Sequence, residues 1–60
     1  MADIDAMIRE VEREVRTREN IYPRWIAQDK ISKGIAEKRL STMRDVLDLL
    51  HGEKAKGQLL

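Results

Sequence analysis

The sequence contains no cysteine and only one histidine among its 60 residues. No disulfide can therefore staple the fold, and His51 alone supplies too few ligands for a metal site. A chain of this length makes one small domain, and two helices bury little more apolar area than is needed to offset the lost chain entropy. These absences predict a fold that gains stability by self-association, with no metal and no cofactor.

Long apolar runs and an excess of one charge are absent as well. No stretch reaches the roughly 18 apolar residues of a transmembrane helix. Twelve basic and eleven acidic side chains leave a formal net charge of +1, whereas nucleic-acid-binding domains are typically strongly basic. The N-terminus begins with Asp3 and Asp5 and lacks the basic and apolar segments of a signal peptide. The sequence predicts a soluble, cytoplasmic protein with no membrane partner.

The only proline, tryptophan and tyrosine lie together at Tyr22, Pro23, Arg24 and Trp25, which we call the elbow. Pro23 removes a backbone donor and crowds the carbonyl four residues earlier, so it either kinks a continuing helix or ends one at Tyr22. The apolar spacing continues through Tyr22 and Trp25, which favours a kinked helix to about Ala27 and a turn at residues 28–30.

A heptad-like pattern occupies the residues before and through the elbow. Successive positions are separated alternately by four and three residues, which is the spacing of one helical face. Asp3 is a good N-cap, and Asp5 places a negative charge in the first turn. This first seam consists of Ile4, Ile8, Val11, Val15, Arg18, Tyr22 and Trp25.

A second helix is predicted from Ser32 to His51. Ser32 is a good N-cap, and Gly52 is a natural residue to follow a helix C-terminus. The pattern therefore predicts a helical domain over residues 1–52 and a flexible polar tail over 53–60. The second seam repeats the same spacing at Ala36, Leu40, Met43, Leu47 and Leu50.

The second helix has more apolar surface than one partner helix covers. Beside its seam runs a second ridge, for which the first helix has no counterpart. In a single hairpin this ridge would face water, so it predicts either two hairpins joined as a four-helix bundle or docking in another protein's groove. The second ridge consists of Ile35, Thr42, Val46 and Leu49.

Four arginines share the side of the first helix opposite its seam. Arginine suits bidentate binding of phosphate or carboxylate. Neighbouring acidic residues can pair with most of these arginines, so a solvated charged face is the favoured interpretation. This arginine stripe, the candidate contact for an acidic partner or phosphate, consists of Arg9, Arg13, Arg16 and Arg24.

Three single residues have alternative roles. Trp25 fits either the core or an interface, and its seam position favours the core. Arg18 has Glu14 four residues earlier as an i,i+4 partner. From its seam position it is expected either to extend past the apolar layer or to meet a carboxylate such as Asp29 or Asp45. His51 lies in the last predicted turn, where a cation is favoured.

No nucleophile or base is placed in a pocket, so the sequence predicts no enzymatic activity.

The elbow and its surroundings resemble a family of short bacteriophage and prophage proteins of uncharacterised function. The resemblance covers about residues 9–50 and is strongest at the Tyr-Pro-Arg-Trp core within Ile21–Ala27. Family members often have a glycine in the link, where this chain has Asp29. The resemblance implies a phage or prophage context inside a bacterial cell. Its later positions are Ala36, Arg39, Met43, Val46 and Leu47.

The predicted fold is all-α, an antiparallel hairpin of helices at about 3–27, kinked near Pro23, and 32–51 that dimerises into a four-helix bundle. The predicted function is that of a small, non-catalytic interaction protein that binds a host or phage protein as a regulator or inhibitor. The alternative is a nucleic-acid-binding accessory protein that uses the arginine stripe.

Overall fold

Two helices joined by a short turn make up the described part of the chain. The computed structural model describes residues 3–58, with α1 spanning Ile4–Ala27 and α2 spanning Lys33–Gln58. The helices pack against each other in an antiparallel hairpin, and the molecule is a rod of 48 × 17 × 16 Å. The predicted all-α hairpin is confirmed.

Helix α1 begins at its predicted cap and passes through the proline. Oδ1 of Asp3 accepts a hydrogen bond from the N–H of Ala6 at 2.7 Å, which satisfies a first-turn donor. The helix then continues through Pro23 to Ala27. Of the two predictions made for the proline, the one in which the helix continues past it is correct. An interior proline costs about 3 kcal/mol, and the burial of Tyr22 beside it helps to offset that cost.

The turn after α1 is closed by a residue in the left-handed backbone conformation. The N–H of Asp29 donates to the carbonyl oxygen of Ile26 at 3.1 Å, and the N–H of Lys30 donates to that of Trp25 at 2.8 Å. This pair of bonds is the Schellman motif. Asp29 has a φ of 61°, a conformation that glycine adopts freely and that aspartate tolerates better than most residues.

Helix α2 begins at its predicted cap but ends later than predicted. Oγ of Ser32 accepts a hydrogen bond from the N–H of Ile35 at 3.2 Å. The helix continues to Gln58, so the end predicted at His51 and the helix stop predicted at Gly52 are wrong. Residues 53–58 of the predicted tail are helical, and residues 59 and 60 lie outside the described residues.

A contact with α1 accompanies the continuation of α2 past its glycine. Gly52 does not adopt a positive φ, and a glycine inside a helix costs only about 1 kcal/mol. Two residues after Gly52, about half a helical turn further on, Nζ of Lys54 lies 2.6 Å from Oδ1 of Asp5. Because α2 extends along α1 as far as the first turn of α1, the two helices have nearly matched lengths of 26 and 24 residues.

The core between the helices is thin. The two predicted seams form it, with their remaining members half-buried. Ala36, exposed by only 3%, packs near the elbow, where its small side chain lies beside Tyr22 and Ile26. The buried apolar residues of the described chain are Ile8, Val15, Tyr22 and Ala36.

Two ion pairs between described residues connect the helices. Besides Lys54 and Asp5, Nη2 of Arg44 lies 3.8 Å from Oε1 of Glu19. Asp5 and Glu19 are two heptads apart and therefore share one side of α1. All four side chains are substantially exposed, so the pairs add little stability, but they are compatible only with this antiparallel register.

Candidate interaction surface

The second ridge is exposed along the whole of its length. Ile35, Val46 and Leu49 expose 50%, 39% and 66% of their surface, and they are the large exposed hydrophobic residues of the described chain. Thr42 is exposed as well, and its hydroxyl donates to the carbonyl oxygen of Lys38 at 2.9 Å. Because this hydrogen bond within α2 satisfies the hydroxyl, the methyl group of Thr42 is available for apolar contact with a neighbouring molecule.

A shallow groove between the helices borders the second ridge. Its walls include Arg18 of α1 and Ile35, Lys38, Arg39, Thr42 and Met43 of α2. A second depression adjoins it near the turn, where Trp25 lies beside Ile31 and Ile35. The apolar surface therefore extends from Leu49 to the elbow, with cations concentrated at the elbow end.

The two aromatic residues of the elbow have different environments. Tyr22 is buried, whereas Trp25 is half-buried at the edge of the hairpin. Their ring centroids are 5.9 Å apart and the rings are tilted by 43°, a distance within the range of favourable aromatic pairs. Trp25 thus packs on the core through one face and borders the depression near the turn through another.

Arg18 finds its partner on its own helix. Its Nε donates to Oε1 of Glu14 at 2.8 Å, so the i,i+4 pair is confirmed and the alternative pairing with Asp29 or Asp45 is wrong. The carboxylate one turn earlier is the nearer choice, because residues at i and i+4 are neighbours on a helix. The bond to Glu14 raises the pKa of the Arg18 guanidinium, while partial burial acts to lower it.

The arginine stripe is exposed but mixed in charge. Arg9, Arg13 and Arg16 border one surface depression together with Glu10 and Glu12. The guanidinium of Arg13 is paired with the carboxylate of Glu10. These interleaved carboxylates match the favoured interpretation of a solvated face.

Arg24, the fourth member of the stripe, lies apart from the other three. It borders a separate depression with Thr17, Asn20 and Ile21. Eight residues separate it from Arg16, which corresponds to about 12 Å along a helix. The structure therefore brings together three of the four predicted arginines.

Lys54 and Glu53 were not predicted as surface residues of α2, although the spacing of the seam and the ridge contains both. Continuing the second seam by one step of four leads from Leu50 to Lys54. The same step from Leu49 leads along the second ridge to Glu53. Both positions were hidden by the assumption that Gly52 ends the helix.

The described residues contain no group of three or more histidine, cysteine or acidic side chains placed to hold a metal ion. His51 is exposed on α2. Within residues 3–58, neither helix is long and apolar enough to cross a membrane.

Three comparisons with known proteins complete the description of this surface. No family model, no curated protein and no solved structure matches the chain. The resemblance at Tyr22–Trp25 to a phage and prophage family therefore stays a prediction.

Proposed function

We propose that the protein is a small, non-catalytic interaction protein that forms a homodimer through the second ridge. In the cytoplasm of a bacterial host it binds a host or phage protein as a regulator or inhibitor. The observation that carries the proposal is the exposure of three large hydrophobic residues, Ile35, Val46 and Leu49, along one side of α2.

The total surface area supports self-association. The protein exposes 4904 Å² for a mass of 7.0 kDa, whereas a globular monomer of that mass exposes about 4,000 Å². The excess of about 900 Å² is close to the roughly 800 Å² that each partner buries in a standard protein interface. The elongated shape of the hairpin, 48 × 17 × 16 Å, accounts for this excess, and a second hairpin alongside α2 would reduce it.

A matched pair of variants tests the dimer. Val46→Glu places a charge in the centre of the second ridge, whereas Ala55→Glu places the same charge at an exposed position of α2 outside that ridge. Light scattering should give a monomer for Val46→Glu and a dimer for Ala55→Glu, with both remaining helical. The same mass for both variants would contradict the proposal.

The same variants test the binding of a second protein. Immobilised wild-type protein should retain a specific protein from a bacterial lysate, and Trp25→Ala should lose it while staying folded. Ala55→Glu should retain it. Failure of the wild-type protein to enrich any protein over Trp25→Ala would remove the regulatory part of the proposal.

Nucleic-acid binding is the second candidate, supported by the exposure of Arg9, Arg16 and Arg24. None of the three forms an ion pair with another described residue. If they bind phosphates, a gel shift at low salt should be lost when all three are changed to glutamine, and affinity should fall steeply with salt. No shift with the wild-type protein at low salt would eliminate this candidate.

A further inference from the structure

The row of residues that contains the second ridge carries opposite charges at its two ends. Between Ile35 and Thr42 the alternating spacing includes Arg39, and after Leu49 it includes Glu53. Both charged residues are exposed. The complete row is therefore apolar in its middle, with a cation towards the elbow and an anion towards the far end of α2.

The row is symmetric about Val46. Arg39 lies seven residues before Val46 and Glu53 lies seven residues after it, which places each charge about 10 Å along the axis from that valine. Val46 is also next to the midpoint of Lys33–Gln58. A helix laid antiparallel across Val46 would therefore overlap α2 from end to end.

We propose that a second copy of the chain covers this row in antiparallel orientation, with the two-fold axis at Val46. Arg39 of each copy then faces Glu53 of the other. This inference rests on the proposed self-association and specifies its geometry. A parallel dimer would set Arg39 against Arg39 and Glu53 against Glu53, and such like-charge contacts oppose association.

The groove beside the row favours an incoming carboxylate. Arg18, Lys38 and Arg39 all border it, and Glu14 neutralises Arg18. Glu53 has one ion pair among the described residues, with Lys56 at 3.5 Å and largely exposed. Such a pair is weak, so Glu53 is free to turn towards the cations of a second copy.

The antiparallel arrangement has a consequence for partner binding. It places the two elbows at opposite ends of the dimer, each with its own half-buried Trp25. The dimer would therefore bind two copies of a partner at well-separated sites, or one extended partner along its length.

Cysteine cross-linking tests the orientation directly, because the natural chain has no cysteine. Under mild oxidation, a mixture of Arg39→Cys and Glu53→Cys chains should form a disulfide between the two variants. Val46→Cys should cross-link to itself. Neither Arg39→Cys nor Glu53→Cys should cross-link alone, since in this arrangement each pair of like positions is about 20 Å apart along the axis.

The outcomes separate this inference from the function on which it rests. Self-cross-linking of Arg39→Cys alone would show a parallel dimer and overturn the orientation while keeping the dimer. A Val46→Cys protein that is dimeric but does not cross-link would place the axis elsewhere. A wild-type protein that sediments as a monomer would overturn the proposed self-association itself.

Charge exchange gives a test without cysteine. Arg39→Glu and Glu53→Arg should each weaken the dimer about tenfold, because two attractive pairs become repulsive. The double variant should return to within about threefold of the wild-type protein. In a parallel dimer each single change replaces one like-charge pair by another, so unchanged affinity in both single variants would overturn the inference.

Discussion

The two helices of this hairpin distribute their apolar residues differently. Among the described residues, three of the four buried ones, Ile8, Val15 and Tyr22, lie on α1, whereas the large exposed hydrophobic residues all lie on α2. Helix α1 directs its apolar face at its neighbour and is charged elsewhere. Helix α2 directs one face at α1 and a second face at solvent.

The two sets of apolar residues have different roles: those of α1 hold the hairpin together, and those of the second ridge are available for association. The seam of α1 specifies the hairpin, because each of its buried residues packs against α2. The second ridge of α2 contributes less to the hairpin than the seam does, and its exposure carries a solubility cost that an isolated domain would avoid. Substitutions in the two places should therefore have separable effects on folding and on association.

The largest effect is expected for Val15→Glu. Val15 is 7% exposed, and placing an unpaired carboxylate there costs several kcal/mol, which is comparable with the roughly 3–5 kcal/mol available to so small a fold. We expect circular dichroism to show an unfolded chain. A folded Val15→Glu protein would mean that α1 does not specify the hairpin.

Ala36→Leu tests the one residue of α2, among those whose burial the structure describes, that is as buried as Ile8, Val15 and Tyr22 of α1. Overpacking at this site beside Tyr22 should destabilise the fold by about 1–3 kcal/mol. Ile35→Leu, one residue away and half exposed, should change stability far less. Urea denaturation compares the two, and equal effects would contradict the placement of Ala36 in the core.

Gly52→Ala tests the extension of α2 along α1. Gly52 lies within the helix without a positive φ, and an added Cβ would meet nothing within 4 Å. Alanine should therefore stabilise the protein by about 0.5–1 kcal/mol. If α2 ended at a left-handed Gly52, the same change would destabilise it, so the sign of the thermal shift decides between the two structures.

Asp29→Gly tests the joint between the helices. Because Asp29 holds a φ of 61°, glycine should stabilise the turn by a few tenths to about 1 kcal/mol. Asp29→Ala, which keeps a Cβ and loses the polar side chain, should destabilise it. Thermal denaturation of the two variants should give shifts of opposite direction, and shifts of the same direction would argue against the Schellman turn.

The smallest effect concerns the pair that joins the ends of the helices. Hydrogen bonding and charge attraction from Lys54, with a further contribution from Arg9, hold the pKa of Asp5 below its ordinary value of 3.8. Because the pKa of Asp5 is lower in the folded state than in the unfolded chain, the pair stabilises the fold at pH values above the unfolded-state pKa. The contribution is then lost as the pH falls through the lowered pKa.

Asp5→Asn provides the comparison for this pH effect. It should remove the loss of stability that protonation of Asp5 causes at low pH. Near neutral pH it should lower the free energy of unfolding only slightly, because an exposed pair is weak. Denaturation curves measured from pH 5 down to about pH 2 would show it. Identical pH profiles for the two proteins would mean that the pair does not form in solution.

Much of the hairpin could be predicted because its signals are local and periodic. The spacing of Ile8, Val15 and Tyr22 identifies the buried face of α1, and the same spacing identifies the exposed ridge through Val46. The caps at Asp3 and Ser32 follow from side-chain chemistry. Each of these inferences needs only residues that are close in sequence.

The errors came from contacts that the local sequence does not show. Gly52 is a natural stop until Lys54 is known to reach Asp5 across the hairpin. For Arg18 the pairing with Asp29 or Asp45 was one expectation from its seam position, whereas the bond forms with Glu14, its i,i+4 neighbour on the same helix. A helix end and the choice of an ionic partner both depend on tertiary geometry.

Sedimentation of the wild-type protein over a micromolar concentration series shows whether α2 carries an association surface. We expect a species of twice the 7.0 kDa chain mass that dissociates on dilution, and we expect Val46→Glu to abolish it without loss of helix. A well-folded wild-type monomer throughout the series would contradict it.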